Sequence, residues 1–170
     1  MKAYHEIQPD MLEAALTSGL ICTARGDKGD DAAIIKTDCY LDERRPEALV
    51  REGVSRDNNL YAYACVNGAV IDITNGEHVP VKHFVARSKQ RVLELEIDPK
   101  RCFVSDLDTY DALKDALTHH GNKAVLERLA KSYWDKVTVL EKCNPATFRR
   151  PEVMVTYDVP PNHVKLTQRS

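Results

Sequence analysis

Little in this chain's composition commits it to a metal, a membrane or a polyanion. The five cysteines, Cys22, Cys39, Cys65, Cys102 and Cys143, are odd in number and form no Cys-x-x-Cys pair. Neither a disulfide framework nor a zinc site is expected from them. Cys65 and Cys102 fall in apolar strand patterns and read as packed thiols. No apolar run approaches the roughly 20 residues that a membrane-spanning helix requires. The opening Met1-Lys2-Ala3-Tyr4-His5-Glu6 lacks the charged-then-apolar pattern of a secretory leader, so a cytoplasmic protein without a membrane partner is expected. A formal net charge of -2 gives no global attraction to nucleic acid. Two local basic groups, Arg44-Arg45 with Arg51 and Arg56, and Arg149-Arg150, read singly as solvated faces.

Glycine patterns that cradle phosphates, GxxxxGK[ST] and GxGxxG, are also missing. The aspartates between Asp27 and Asp31 lack the alternating oxygens and the glutamate at position twelve of a calcium loop, which leaves a polar loop. His119 and His120 are adjacent and would diverge by roughly 100° on a helix. They precede Gly121, where imidazolium suits a helix C-terminus. His78 and His83 have no acidic partners at metal spacing. No metal is expected.

What remains is an ordinary globular composition, 43% hydrophobic and 29% charged over 170 residues, which predicts one domain with one substantial core. Alternation over 3–7 predicts a strand. Pro9 then starts an amphipathic helix through Met11, Leu12, Ala15 and Leu16 that Gly19 stops. A short strand is expected over 20–23 and a helix from Pro46 to Arg51 ended by Gly53. Asn67-Gly68 between two apolar runs is a type I′ hairpin signal, and Asn75-Gly76 turns the chain again before 79–81. Strands follow over 91–97 and 102–104. Asp108 is the expected N-cap of a helix over 109–117 ended by Gly121, and a longer helix is expected over 123–140. The chain returns to strands over 153–156 and 164–166, divided by Pro160-Pro161. Strands in a meander with helices inserted near the start and after residue 107 predict an α+β fold.

Four positions draw attention as chemistry. His5 replaces a hydrophobe in the first strand and reads equally as a satisfied core histidine or a site residue. Tyr61 and Tyr63 lie two apart and so share a strand face, as core or as a platform for a planar ring. Glu152 stands at a strand entrance after Pro151, either as a solvated edge carboxylate or as a site residue. Arg25, in a glycine-rich loop, is a surface arginine or a clamp for a diphosphate.

Taken in order, these segments resemble the diphtheria-toxin-like ADP-ribosyltransferase superfamily, in the His-Tyr-Glu branch that holds the poly-ADP-ribose polymerases and the toxins acting on DNA thymidine. The resemblance rests on Tyr4-His5-Glu6-Ile7, on the helix closing in Ser18-Gly19-Leu20-Ile21, on Leu60-Tyr61-Ala62-Tyr63, and on Glu152-Val153-Met154-Val155 before Val159-Pro160-Pro161. It spans almost the whole chain. It implies split antiparallel sheets with flanking helices over 1–170, with a helical insertion at about 108–143. It further implies NAD as substrate, with Glu152, His5 and Tyr61 catalytic. His5 would hydrogen-bond an adenosine ribose hydroxyl and Tyr61 would stack on nicotinamide. Tyr63 would substitute for Tyr61, and Arg25 would touch the pyrophosphate. Arginine-modifying members carry an acid or amide two positions before the glutamate. Arg150 stands there in this chain, which argues against an arginine acceptor and for an anionic one such as nucleic acid, with protein as the other acceptor class. The rivals are an RNA 2′-phosphotransferase-like enzyme and a non-catalytic domain that binds a nucleotide or a partner.

Overall fold

The computed structural model describes residues 1–22 and 31–168. Among these described residues nine strands make one antiparallel sheet: β1 (Lys2–Ile7), β2 (Leu60–Val66), β3 (Ala69–Ile71), β4 (His78–Pro80), β5 (Arg91–Glu96), β6 (Cys102–Asp106), β7 (Thr138–Val139), β8 (Pro151–Val155) and β9 (Val164–Leu166). Their order is β7-β6-β8-β2-β1-β5-β9, with β3 and β4 extending from β2. Six α-helices accompany them: α1 (Leu12–Ser18), α2 (Ala32–Asp42), α3 (Glu47–Arg51), α4 (Val81–Arg87), α5 (Leu107–Thr118) and α6 (Lys123–Lys136). The α+β class expected from the sequence is what the chain adopts. No helix among the described residues is long and apolar enough to cross a membrane.

The hairpin at Asn67-Gly68 forms as the dipeptide predicts, with φ of 52° and 77° at its two centre positions. Gly19 ends α1 at φ 85°, a conformation L side chains avoid, and Val159 presses its carbonyl against the place where a Cβ would sit. Leu20 then makes a single bridge to Val159 rather than a full strand.

Several predicted boundaries move, for identifiable reasons. Asp106, not Asp108, caps α5 by accepting from the Asp108 amide, and Asp108 becomes a first-turn acid. His120 takes the left-handed turn after that helix at φ 56°, ahead of Gly121. The helix expected over 123–140 stops at Lys136 because the β-branched Val137-Thr138-Val139 extends and pairs with β6. Helices α2 and α4 arise where no helix was expected. Asp31 caps α2 by accepting from the amides of Ala33 and Ile34.

The two sheet faces carry different cores. One buries Ala3, Ile7, Leu93, Leu95, Val153 and Val155 beside α1. The other has two patches. Phe103 and Met154 pack under α2, α5 and α6 with Leu41, Leu113, Tyr133 and Trp134. Tyr4, Val70 and Val92 pack against Phe84 and Val85 of α4. Each such fully buried large side chain contributes about 1.5–3 kcal/mol.

One junction of the sheet is thin. β1 pairs with β5 through six residues, but with β2 only at Ala3–Ala64 and Tyr4–Tyr63. Past Tyr4 the two central strands have no registered partners in each other. The sheet therefore consists of two well-paired halves joined by a short seam.

Candidate functional site

A cavity of about 490 Å³ opens at this seam, on the face between the α5–α6 patch and the α4 patch. That volume lies in the ordinary range for small-molecule sites. His5, Tyr61, Tyr63 and Glu152 all line it, together with Glu6 and Arg56. Residues 147 positions apart in the chain thus meet because β1, β2 and β8 are neighbours. Arg25 lies outside the described residues.

The register explains how each side chain arrives. Tyr63 stands opposite Glu152 across the β2–β8 pair, and Tyr61 stands opposite Met154. Directly opposed residues of an antiparallel pair project from the same face. Tyr61, Tyr63 and Glu152 therefore share one face with Tyr4, the partner of Tyr63. His5 alternates to the other face, opposite Leu93. It still reaches the cavity, because the strands part beyond Tyr4 and its ring lies in the gap. There Nδ1 sits 2.7 Å from the Tyr61 carbonyl. A carbonyl only accepts, so Nδ1 carries the proton in that contact. His5 is thus a seam residue, positioned differently from the three that share the open face.

Glu152 is not free in the cavity. Its Oε2 accepts from an Arg56 guanidinium nitrogen at 2.5 Å and from Ser105 Oγ at 3.4 Å. Arg56 was expected on a solvated basic face, yet only 5% of its side chain is exposed. Its Nε also bonds Asp38 at 3.1 Å, and a terminal nitrogen donates to Tyr133 at 3.1 Å. The guanidinium lies over the rings of Tyr61 and Tyr110 at 4.5 and 4.4 Å. Burial alone would weaken the arginine's hold on its proton. The charge of Glu152, then the neighbouring tyrosines and Asp38, outweigh that and raise Arg56 well above the arginine range. It is a permanent cation.

The loop that delivers Arg56 is itself fixed. Asp42 accepts from the Arg56 amide at 2.8 Å, from Ser55 Oγ at 2.7 Å and from the Asp57 amide at 3.2 Å. Tyr61 Oη donates to the Arg56 carbonyl at 2.6 Å. Burial pushes the Tyr61 hydroxyl well above its usual range, and lifts that of Tyr133 to about 12. Both remain neutral donors. One face of the Tyr61 ring is thus already covered by a guanidinium, which narrows any platform role to what the rest of the ring presents. Tyr63 meets Phe84 edge-on at 4.7 Å and donates to Glu6 at 2.6 Å.

The basic groups expected at the surface are largely neutralised. Arg149 pairs with Asp108, and Arg150 is held by Asp111 at 2.7 Å, Asp108 at 3.3 Å and the Ile73 carbonyl at 2.5 Å. Arg44 pairs with Glu127 and Glu43, and Arg45 with Asp42. An anionic acceptor consequently finds less free positive charge beside Glu152 than the sequence suggested. Among the described residues no group of three metal-ligating side chains comes together.

Arg56 is the cavity residue that sequence reading missed. It sits in a run of arginines without apolar periodicity, and nothing local distinguishes it from its exposed neighbours. Glu6 is the other: strand alternation from Tyr4 puts it on the tyrosine face. Comparison with family models, with curated proteins and with solved structures finds no match to this chain.

Proposed function

We propose that this chain is an NAD-dependent ADP-ribosyltransferase acting on an acceptor other than arginine, a nucleic acid or a protein. The observation that carries the reading is that His5, Tyr61, Tyr63 and Glu152, distant in sequence, line one cavity of suitable size at the seam of the sheet. The near-separation of the two sheet halves also agrees with a split-sheet fold.

In this reading the bond between nicotinamide and C1′ of its ribose breaks, and nicotinamide leaves with the bonding electrons. Positive charge then spreads over C1′ and the ring oxygen. A fixed carboxylate nearby stabilises that charge without reorganising, and this is the role of Glu152. Arg56 is a positioning residue: its bond to Oε2 sets where the carboxylate points, and Tyr133 and Asp38 set where Arg56 points. The acceptor adds to C1′ and loses a proton, which in this reading Glu152 helps to take. Arg150, two positions before Glu152, lines the same cavity, and it stands where arginine-modifying members of the resembled superfamily carry an acid or amide, which speaks against an arginine acceptor.

Two other readings fit less well. An RNA 2′-phosphotransferase needs free cations around a phosphate. Here the described cations lining the cavity, Arg56, Lys114 and Arg150, each already pair with a carboxylate. A non-catalytic binding domain draws support from the engagement of Glu152 by Arg56.

Nicotinamide release from NAD, measured on the wild type and on Glu152→Gln, tests the proposal. Turnover by the wild type that falls by about 10²–10³ in the variant is expected from removing one electrostatic stabiliser. Equal turnover by both proteins would refute the assigned role. NAD binding with no turnover in the wild type would favour the binding domain.

A further inference from the structure

We infer that Glu6 is a second ligand-facing carboxylate of this cavity and that it recognises the vicinal hydroxyls of a ribose. The inference deepens the NAD reading above and rests on it. Glu6 is next to His5 in the chain, yet alternation sends it to the open face that Tyr61, Tyr63 and Glu152 share. It lines the cavity as they do, and it is half-buried although it lies near the end of a strand.

Its surroundings are those of an oriented acceptor, not of an ion pair. Oε2 accepts from Tyr63 Oη at 2.6 Å and Oε1 accepts from Ser88 Oγ. Among the described residues no cation pairs with Glu6, while the cavity's cations are committed to Glu152, Asp38, Asp108 and Asp111. Tyr63 holds its proton, because burial and the bond to Glu6 both push its hydroxyl far above the usual range. The carboxylate is therefore held by two neutral hydroxyl donors, one per oxygen. An ionised carboxylate offers about four acceptor sites, so one remains on each oxygen. Two adjacent acceptors on a planar group match the two donors of a cis-diol.

Tyr63 also fixes the spacing of the pair. It donates to Glu6 on one side and stands directly opposite Glu152 on the other. A ribose held at Glu6 is thereby set at a defined separation from the carboxylate that acts on a glycosidic carbon. NAD carries two riboses, and the same diol chemistry serves either.

Calorimetric affinities for three ligands separate the possibilities: NAD, NAD lacking a hydroxyl on the adenosine ribose, and NAD lacking one on the nicotinamide ribose. Each is titrated into the wild type, Glu6→Gln, Glu6→Ala and Tyr63→Phe. One deoxy analogue should bind the wild type about 10- to 100-fold more weakly, the range for a hydrogen bond to a charged group. Glu6→Ala should bind NAD as weakly as that and should no longer distinguish NAD from the analogue. The analogue that loses affinity identifies the ribose. Tyr63→Phe keeps the carboxylate but loosens it, and should give a smaller loss with discrimination retained. It guards against a variant that merely fails to fold.

Wild type that binds NAD tightly but tolerates both deletions, or Glu6 variants that keep full affinity, would overturn the inference while leaving the NAD reading intact. Wild type that binds no NAD would remove both.

Discussion

Replacing Arg56 by methionine should damage this protein far more than replacing Glu152 by glutamine, and the contrast tests how the site is built. Arg56, Asp38 and Glu152 form a cluster with side-chain exposures of 5%, 1% and 12%. One cation there faces two carboxylates. Removing the guanidinium takes its charge away from two carboxylates in a poorly solvated place. Breaking a buried pair in that way costs about 3–5 kcal/mol. Against a total stability of about 5–15 kcal/mol for a natural domain, that is a large share. For a chain of this size it corresponds to a fall in Tm of roughly 6–20 °C. Glu152→Gln is milder: it keeps the shape and an acceptor oxygen for Arg56, and leaves the Arg56–Asp38 bridge in place. Its Tm should stay level or rise, as happens where a residue is kept for chemistry at the expense of stability. Trp134, the single tryptophan, is buried and hydrogen-bonds the Leu41 carbonyl at 2.9 Å, so its fluorescence reports unfolding of the helices over the cluster. Denaturant curves followed at Trp134 give both free energies. An Arg56→Met protein within about 1 kcal/mol of the wild type, below the range for breaking a buried pair, would refute the buried bridge. Equal losses in both variants would make Glu152 a structural counter-ion.

Other consequences are accessible to the same measurements. Gly19→Ala should destabilise by about 1 kcal/mol or more, because it combines a left-handed φ with a clash against the Val159 carbonyl; thermal melts check this. Asp106 is pushed up by burial but pulled down further by Lys136 and Thr109, so its folded carboxyl lies below the ordinary range. It contributes stability that is full above about pH 4, the unfolded value, and that is lost as pH falls through the lower folded value. Lys136→Met should therefore lose stability at pH 7 and show a shallower decline toward pH 3 in acid titrations of denaturant stability.

Much of the sheet was legible because its strands alternate and are punctuated by Asn67-Gly68, Gly76, Pro99 and Pro160-Pro161. Helix α2 was not, and the reason lies in what it buries. Its inward residues include Thr37 and Asp38 beside Leu41, so the stripe that faces the Arg56 cluster is polar and leaves no apolar period. Helix α4 is only seven residues long, follows Pro80, and carries Val81 and His83 where strong helix formers would have marked it. At the site, Glu152 and the tyrosines were found from motif order. Arg56 was not, because its burial is produced by Asp38, Tyr110 and Tyr133, which arrive from three separate helices. Those contacts exist only after the tertiary fold has formed.

The seam between β1 and β2 places the two carboxylates of the cavity on opposite sides of a short junction. Two registered pairs, Ala3–Ala64 and Tyr4–Tyr63, hold the halves together at its closed end, and the His5 contact to the Tyr61 carbonyl is the next tie along the gap. The six-residue β1–β5 ladder carries Glu6, and the β2–β8 ladder carries Glu152. The two carboxylates ride on different halves. Their separation is set across the seam by a few backbone bonds, one imidazole and the Tyr63–Glu6 hydrogen bond.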